Sequence, residues 1–225
     1  REAVASIPSF SAFITLIEVP QMPEADTDKT VSFQIRQHIP LPVSEVAIEW
    51  LRVGEREDEN GFVKQQILII SVPNEYIKRY KNIFKLAGLE LKALEVESLS
   101  LIRALVGRDP TATLIVDIGG RSTNIAICDK GFLKYNYQTD FSGGSLTQAI
   151  SSGLNINVKR AEELKKQKGI LAATSEYELS TLALPFLDAI ISEVRRAETN
   201  YEKNQGSKVE RLILAGGGAN LLGIE

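Results

Sequence analysis

Asp117-Ile118-Gly119-Gly120-Arg121-Ser122-Thr123-Asn124 is the segment on which the fold reading turns. It ends the apolar run Leu114 to Ile118, so a buried strand delivers an aspartate to its tip. Two glycines follow, and backbone N–H groups there can approach an anion with no Cβ in the way. Ser122, Thr123 and Asn124 add short polar side chains. A carboxylate beside a phosphate site can hold Mg²⁺ through water, because Mg²⁺ keeps part of its hydration shell. A plain β-hairpin turn built on Asp-x-Gly-Gly accounts for the same residues, and both readings stand at this point.

Outward from the turn, Ile125 to Cys128 and Phe132 to Thr139 read as strands separated by Asp129-Lys130-Gly131. Two tight connections imply an antiparallel meander. Phe141-Ser142-Gly143-Gly144-Ser145 is another glycine turn, here before a helix whose N-terminus could face an anion. Ile213-Leu214-Ala215-Gly216-Gly217-Gly218-Ala219-Asn220 is a third, after a strand. It is neither a dinucleotide fingerprint, since Leu221 occupies the third glycine position, nor a P-loop, since Gly-Lys-Ser/Thr is absent. A tight turn before a helix explains it alone; three such turns at strand ends together point to a phosphate-bearing ligand.

Between the second and third turns lies Ala161-Glu162-Glu163-Leu164-Lys165-Lys166, within a helix expected over Lys159 to Lys168. Glu162 and Lys165 share a face. A carboxylate can accept ribose hydroxyl hydrogen bonds while a lysine stem covers a base; a solvated ion pair is the other reading. Glu97 follows a strand over Leu91 to Val96 and opens a helix. It is either a water-orienting carboxylate or an acid favoured by the helix dipole.

The remaining elements are an α/β series. Strands are expected over Val4 to Ile7, Phe13 to Val19, Ala47 to Val53, Gln65 to Val72 and Arg211 to Ala215. Helices are expected over Asn74 to Leu86, Ser98 to Val106, Ser145 to Ser152 and about Ser180 to Asn204. A further helix, capped by Thr27 or Asp28, runs to His38 and stops at Pro40 and Pro42. Pro20 and Pro23 mark a boundary. The apolar residues Val31, Phe33, Ile35, Ile39, Leu41 and Val43 are either partner surface or a small core.

Composition narrows the function classes. A net charge of -3 without a basic stripe argues against nucleic acid and polybasic membrane binding. One cysteine, Cys128, and one histidine, His38, leave no Cys/His metal site and make a Ser-His-Asp hydrolase improbable. The chain has no apolar run of the ~20 residues that span a bilayer. It opens at Arg1, carries its only methionine at Met22 and stops at Glu225 just after three glycines, which reads as a fragment.

The order of these motifs resembles the actin-like ATPase superfamily. Asp117-Ile118-Gly119-Gly120-x-Ser122-Thr123 looks like its second phosphate motif, and Leu214-Ala215-Gly216-Gly217-Gly218-Ala219 like its adenosine motif. Arg36-Gln37-His38-Ile39-Pro40-Leu41-Pro42, Phe141-Ser142-Gly143-Gly144-Ser145-Leu146-Thr147 and Val158-x-x-Ala161-Glu162-x-x-Lys165 place the closest likeness in the PilM family of type IV pilus assembly.

The resemblance implies an α/β, ribonuclease H-like, two-lobed fold. Residues 1–17 and 71–110 would form the remainder of the first lobe, 18–70 an inserted α+β subdomain, and 111–225 the second lobe. The family's first phosphate motif, an aspartate-glycine turn near the N-terminus, has no counterpart here, and its strands are expected to be missing. The resemblance implies ATP and Mg²⁺ as cofactors. Asp117 would approach Mg²⁺, and Gly119, Gly120, Arg121, Ser122, Thr123, Gly143 and Gly144 would lie around the phosphates. Glu162 and Lys165 would flank ribose and adenine, with Gly216, Gly217 and Gly218 on the nucleotide's other side. Glu97 would orient water in what is at most a slow ATPase.

The implied role is a cytoplasmic scaffold, peripheral at the inner membrane through its partners. It would recruit the cytoplasmic N-terminal tail of a PilN-type protein, without nucleic acid and without direct membrane insertion; self-association stays open. An FtsA-like cell-division tether and a sugar- or acetate-kinase-type enzyme on the same fold are the alternatives. The first needs a C-terminal amphipathic helix, the second a catalytic aspartate for which the sequence offers no supported candidate.

Overall fold

The computed structural model describes residues 1–39, 41–170 and 177–224. Pro40, expected as a helix stop, lies outside them. The chain divides into two compact units, Arg1–Pro110 with Cys128–Asn136, and Thr111–Ile127 with Tyr137–Glu225.

In the first unit, β2 (Phe13–Pro20), β3 (Val46–Glu57) and β4 (Val63–Pro73) form an antiparallel sheet in the order β2-β4-β3. The run Ile67-Leu68-Ile69-Ile70 makes β4 the central strand, and all four residues are buried. Ile67 pairs with Ile17, and Ile69 with Trp50. Alternation sends Ile67 and Ile69 to one face. There they pack with Ile17, Val19 and Val46 under helix α1 (Glu24–His38).

Helix α1 contributes Val31 and Ile35 to that core, and Ile39, the extended residue just after it, joins them. Four-residue spacing puts Val31 and Ile35 on one helix face, and all three residues are buried, so they are core and not partner surface. Phe33 lies half a turn away and is 68% exposed, while Leu41 and Val43 are also exposed. The start of α1 also differs from expectation. The residue before it is Pro23 in extended conformation, and Glu24 and Asp26 occupy the first turn, where the dipole favours acids. Thr27 sits inside the helix and donates from Oγ1 to the Pro23 carbonyl at 3.2 Å.

The same unit holds the parallel pair β1 (Glu2–Ile7) and β5 (Glu90–Val96), with helices α2 (Asn74–Leu86) and α3 (Glu97–Leu105). A bulge interrupts β3 between Arg52 and Gly54. Lys134 closes it, donating from Nζ to the Val53 carbonyl at 2.7 Å and to Gln66 Oε1 at 2.6 Å. Burial pushes the Lys134 ammonium below its ordinary pKa.

A four-stranded sheet has the order β8-β7-β6-β9, with β6 (Thr113–Ile118), β7 (Thr123–Asp129), β8 (Phe132–Thr139) and β9 (Arg211–Ala215). Links of four and two residues between adjacent strands force β6-β7-β8 to run antiparallel. By contrast, β9 returns beside β6 in parallel, with Asp117 opposite Ala215. The long excursion between β8 and β9 carries helices α4 (Gly143–Gly153), α5 (Val158–Lys168) and α6 (Tyr177–Gln205). β6 and β9 end side by side, which brings the first and third glycine turns to one end of the sheet.

Candidate functional site: a glycine-floored cleft

In the second unit a cleft of about 470 Å³ opens where the three glycine turns meet helix α5. That volume is within the range of small-ligand pockets. Gly119 and Gly120 line it from the first turn, Gly143 from the second, and Gly217, Gly218, Asn220 and Leu221 from the third. Helix α5 adds Glu162, Lys165 and Lys166. Asp117, Arg121, Ser122, Thr123, Gly144 and Gly216 are not among the residues that line it. Glu97 belongs to the first unit, where it opens α3 as a first-turn acid.

The first turn is closed by the Gly119 amide, which donates to the Ser122 carbonyl at 2.9 Å. The second turn is docked onto it. The amides of Gly143 and Gly144 donate to the carbonyls of Gly119 and Gly120, both at 2.9 Å. These are the first two N–H groups of α4, so the helix end expected to face an anion holds the neighbouring turn instead. Gly144 is required by that approach: a Cβ there would collide with the Gly120 carbonyl oxygen. Ser142 caps the helix, accepting from the Ser145 amide at 3.2 Å, and Ser145 Oγ accepts from the Ser142 amide at 2.8 Å. Thr123, expected beside phosphates, is buried and donates from Oγ1 to the Phe141 carbonyl at 2.6 Å. It pins the second turn.

The third turn packs as tightly. Gly216 has φ 78° and ψ 177°, a region open in practice only to glycine. A Cβ on it would strike Asp117 Oδ1 and stand 2.6 Å from the Ile118 carbonyl oxygen. Gly120 and Gly217 are the open positions: a Cβ on either would meet nothing within 4 Å. The cleft floor is therefore bare backbone at those two glycines.

Glu162 and Lys165 are more than a surface ion pair. Lys165 is buried, and its Nζ lies 2.7 Å from Glu162 Oε2 and 2.8 Å from both the Gly143 carbonyl and Thr147 Oγ1. Thr147 Oγ1 donates to Glu162 Oε2 at 2.5 Å. Lys166 Nζ lies 3.4 Å from the other carboxylate oxygen, Oε1. The hydrogen bonds from Lys165 and then Thr147 hold the Glu162 carboxyl down, at about 2 against an ordinary 4.5. Its folded-state pKa is below its unfolded one, so its contribution to stability is complete above about 4.5 and is lost as pH falls toward 2. Acid unfolding of a Glu162→Gln variant is expected to show a shallower loss of stability across that window than the unaltered chain. Equal slopes would show that the carboxylate is not stabilised by these partners.

Thr147 and Lys166 were not singled out as site residues. Both left a signal: Thr147 stands one turn after Gly143, and Lys166 one turn after Glu162.

Asp117 is half-buried near the end of β6, and burial alone raises its pKa. Among the described residues no group of three acids, histidines or cysteines could cage a metal. A Mg²⁺ here would need ligand phosphates and water for most of its shell, which is its usual chemistry. A floor of glycine backbone, a carboxylate held by Lys165 and Thr147, two lysines and a solitary aspartate fit a magnesium nucleotide.

This fold and cleft define the actin-like class. Solved structures with the same fold include the PilM-PilN type IV pilus biogenesis complex, at a TM-score of 0.79 and 22% identity over 100% of this chain and 65% of that one. MreB5 of Spiroplasma citri bound to ADP matches at 0.51 and 22%, over 65% of this chain and 55% of that one. The family profile described as Type IV pilus assembly protein PilM matches residues 1–225, and the chain belongs to that family. Its curated relatives include the cell division protein FtsA of Enterococcus hirae, 24% identical over 178 residues, which are 70% of this chain and 40% of that protein. The chain spans less than half the length of such relatives. Among the described residues no helix is long and apolar enough to cross a membrane.

Proposed function

We propose that this chain is the ATP-binding part of an actin-like cytoplasmic scaffold in type IV pilus assembly. It would be held at the inner membrane by the cytoplasmic tail of a PilN-type protein. The observation that carries the nucleotide reading is the cleft itself: glycine backbone on its floor and Glu162 oriented beside it, with Asp117 near the end of β6, the strand that runs into the first glycine turn. Gly119, Gly120, Gly217 and Gly218 would line the phosphates and base, Glu162 the ribose, and Asp117 a hydrated Mg²⁺. The ADP-bound neighbour supports the ligand class. Calorimetry with ATP and Mg²⁺ on the full-length protein is the test. A flat titration would leave a protein-binding pseudo-ATPase in its place.

A second cleft, within the first unit, supports the partner reading. It holds about 300 Å³ and is lined by Ile7, Ile70, Val72, Ile77 and Leu99, with Glu49 and Glu95 among the polar residues. Apolar walls and two carboxylates suit a short apolar segment with a basic side chain. We assign the tail to this groove, where Ala47, Glu49 and Ile70 would come from the proposed inserted subdomain of residues 18–70 and Val72 from just beyond it. Ile77 is partly exposed on α2, so Ile77→Glu is expected to weaken capture of a PilN-type tail peptide at least tenfold while the melting temperature holds. Anisotropy with a labelled peptide reads this; unchanged affinity would remove the groove from the partner site.

A further inference from the structure

The cleft has two walls, α4 with α5 on one side and the third glycine turn on the other. Each is fastened separately to the first turn and its strand. On the helical side the Gly143 and Gly144 amides donate to the Gly119 and Gly120 carbonyls. The third turn is fastened by the β6–β9 pairing and by Gly216 and Gly218, where a Cβ would have no room against Ile118. Between α5 and the segment that follows the third turn, the described residues make a single backbone–backbone hydrogen bond. The Ile170 amide donates to the Leu222 carbonyl at 2.8 Å.

Gly169 makes that bond possible. It ends α5, its amide donating to the Lys165 carbonyl at 2.9 Å. At φ 61° and ψ -133° its backbone turns where glycine alone goes without strain. Gly169 is buried, and a Cβ on it would collide with the Leu222 carbonyl oxygen and lie 2.6 Å from the Leu222 nitrogen. Two backbones far apart in sequence are therefore in direct contact. Lys166, on one wall of the cleft, stands three residues before Gly169, and Leu221, on the other, directly precedes Leu222. Gly169, Ile170 and Leu222 do not line the cleft themselves. The Leu222 side chain is half-exposed, so this clasp lies at the surface, where local openings need little free energy.

We propose that the clasp sets how long the cleft keeps its nucleotide, with Gly169 and Leu222 as positioning residues that hold α5 against the third turn. This rests on the nucleotide reading above. A ligand between two walls leaves more slowly when the walls are joined by more than the ligand itself. Opening the clasp frees α5 from the third turn, so release quickens while encounter changes little. The coupling is reciprocal: a nucleotide that touches both walls favours the closed clasp.

The test is stopped-flow release of a fluorescent ATP labelled on its γ-phosphate, bound with Mg²⁺ to the full-length protein and chased with unlabelled ATP. Hydrogen exchange of the Ile170 amide reports the clasp itself. Gly169→Ala is expected to speed that exchange and to raise the release rate by about tenfold or more, the size of one net hydrogen bond. Its association rate is expected to change by less than about threefold. Gly206→Ala is the control, because Gly206 has φ 69° and a Cβ there would meet nothing within 4 Å. It carries the positive-φ strain without the collision, and its release rate is expected to stay at the original value even where its melting temperature falls as far. Ile170→Pro removes the donor without altering Gly169 and serves where Gly169→Ala does not fold; the same rise in release is expected. A folded Gly169→Ala or Ile170→Pro that releases nucleotide at the original rate overturns the proposal. So does an equal rise in Gly206→Ala, which would make release a measure of overall stability. In either case nucleotide still binds and this proposal fails alone. If the unaltered protein binds no nucleotide, the nucleotide reading fails and the proposal with it.

Discussion

Gly216→Ala is expected to destabilise the protein by about 4 kcal/mol, from two costs that add. The backbone at φ 78°, ψ 177° is strained for any residue with a Cβ, at roughly 1–3 kcal/mol. The new methyl would also press on Asp117 and on the Ile118 carbonyl, and crowding a packed site costs roughly 1–3 kcal/mol more. Neither neighbour can move aside freely. Ile118 is buried at the end of β6, and Asp117 is held in register with Ala215 across the parallel pair. Urea unfolding measures the effect. Gly217→Ala is the matched control, since its Cβ would enter open space. It is expected to unfold within about 0.5 kcal/mol of the unaltered chain. Equal losses in the two variants would show that the third turn is not held by contact with β6.

The contrast between these neighbouring glycines marks what the residues alone could disclose. Three glycine turns at strand ends were legible as a group, because glycine after an apolar strand is a local signal. Which glycine faces the ligand and which faces another backbone was not. Gly143 and Gly144 read as anion donors, yet their amides bond the carbonyls of Gly119 and Gly120. That distinction depends on partners more than twenty residues away. The same limit applies to Lys165. Spacing placed it on the Glu162 face of the helix, but only its burial against α4 gives it Gly143 and Thr147 as partners. Elements bounded by strong punctuation were read to the residue, as with Asn74–Leu86 between Pro73 and Gly88 and with Arg211–Ala215 before its glycines. Helix α1 was misread at its start because Pro23 extends the chain into the helix, and the better-known capping residues follow a turn later.

Asp117→Asn is expected to weaken Mg-ATP binding by tenfold or more and to leave the ligand-free protein at least as stable as before. The two effects have one origin. Burial is what raises the Asp117 pKa, so the fold disfavours its charged form. A carboxyl raised in the folded state contributes stability only at low pH, below its unfolded pKa, and that contribution is lost as pH rises through the folded value. At neutral pH the ionised group is a net cost to folding. Asparagine keeps the shape and removes the charge, so the melting temperature is expected to rise or hold near neutrality and to depend less on pH in the acid range. The same charge is what a hydrated Mg²⁺ would recognise, so affinity for Mg-ATP should fall while affinity for metal-free ADP changes little. Calorimetry with and without Mg²⁺, beside thermal unfolding, separates the outcomes. A collapse of the melting temperature with Mg-ATP affinity intact would make Asp117 a structural residue. A group that the fold tolerates at a cost, at a strand end beside bare glycine backbone, is placed for a ligand.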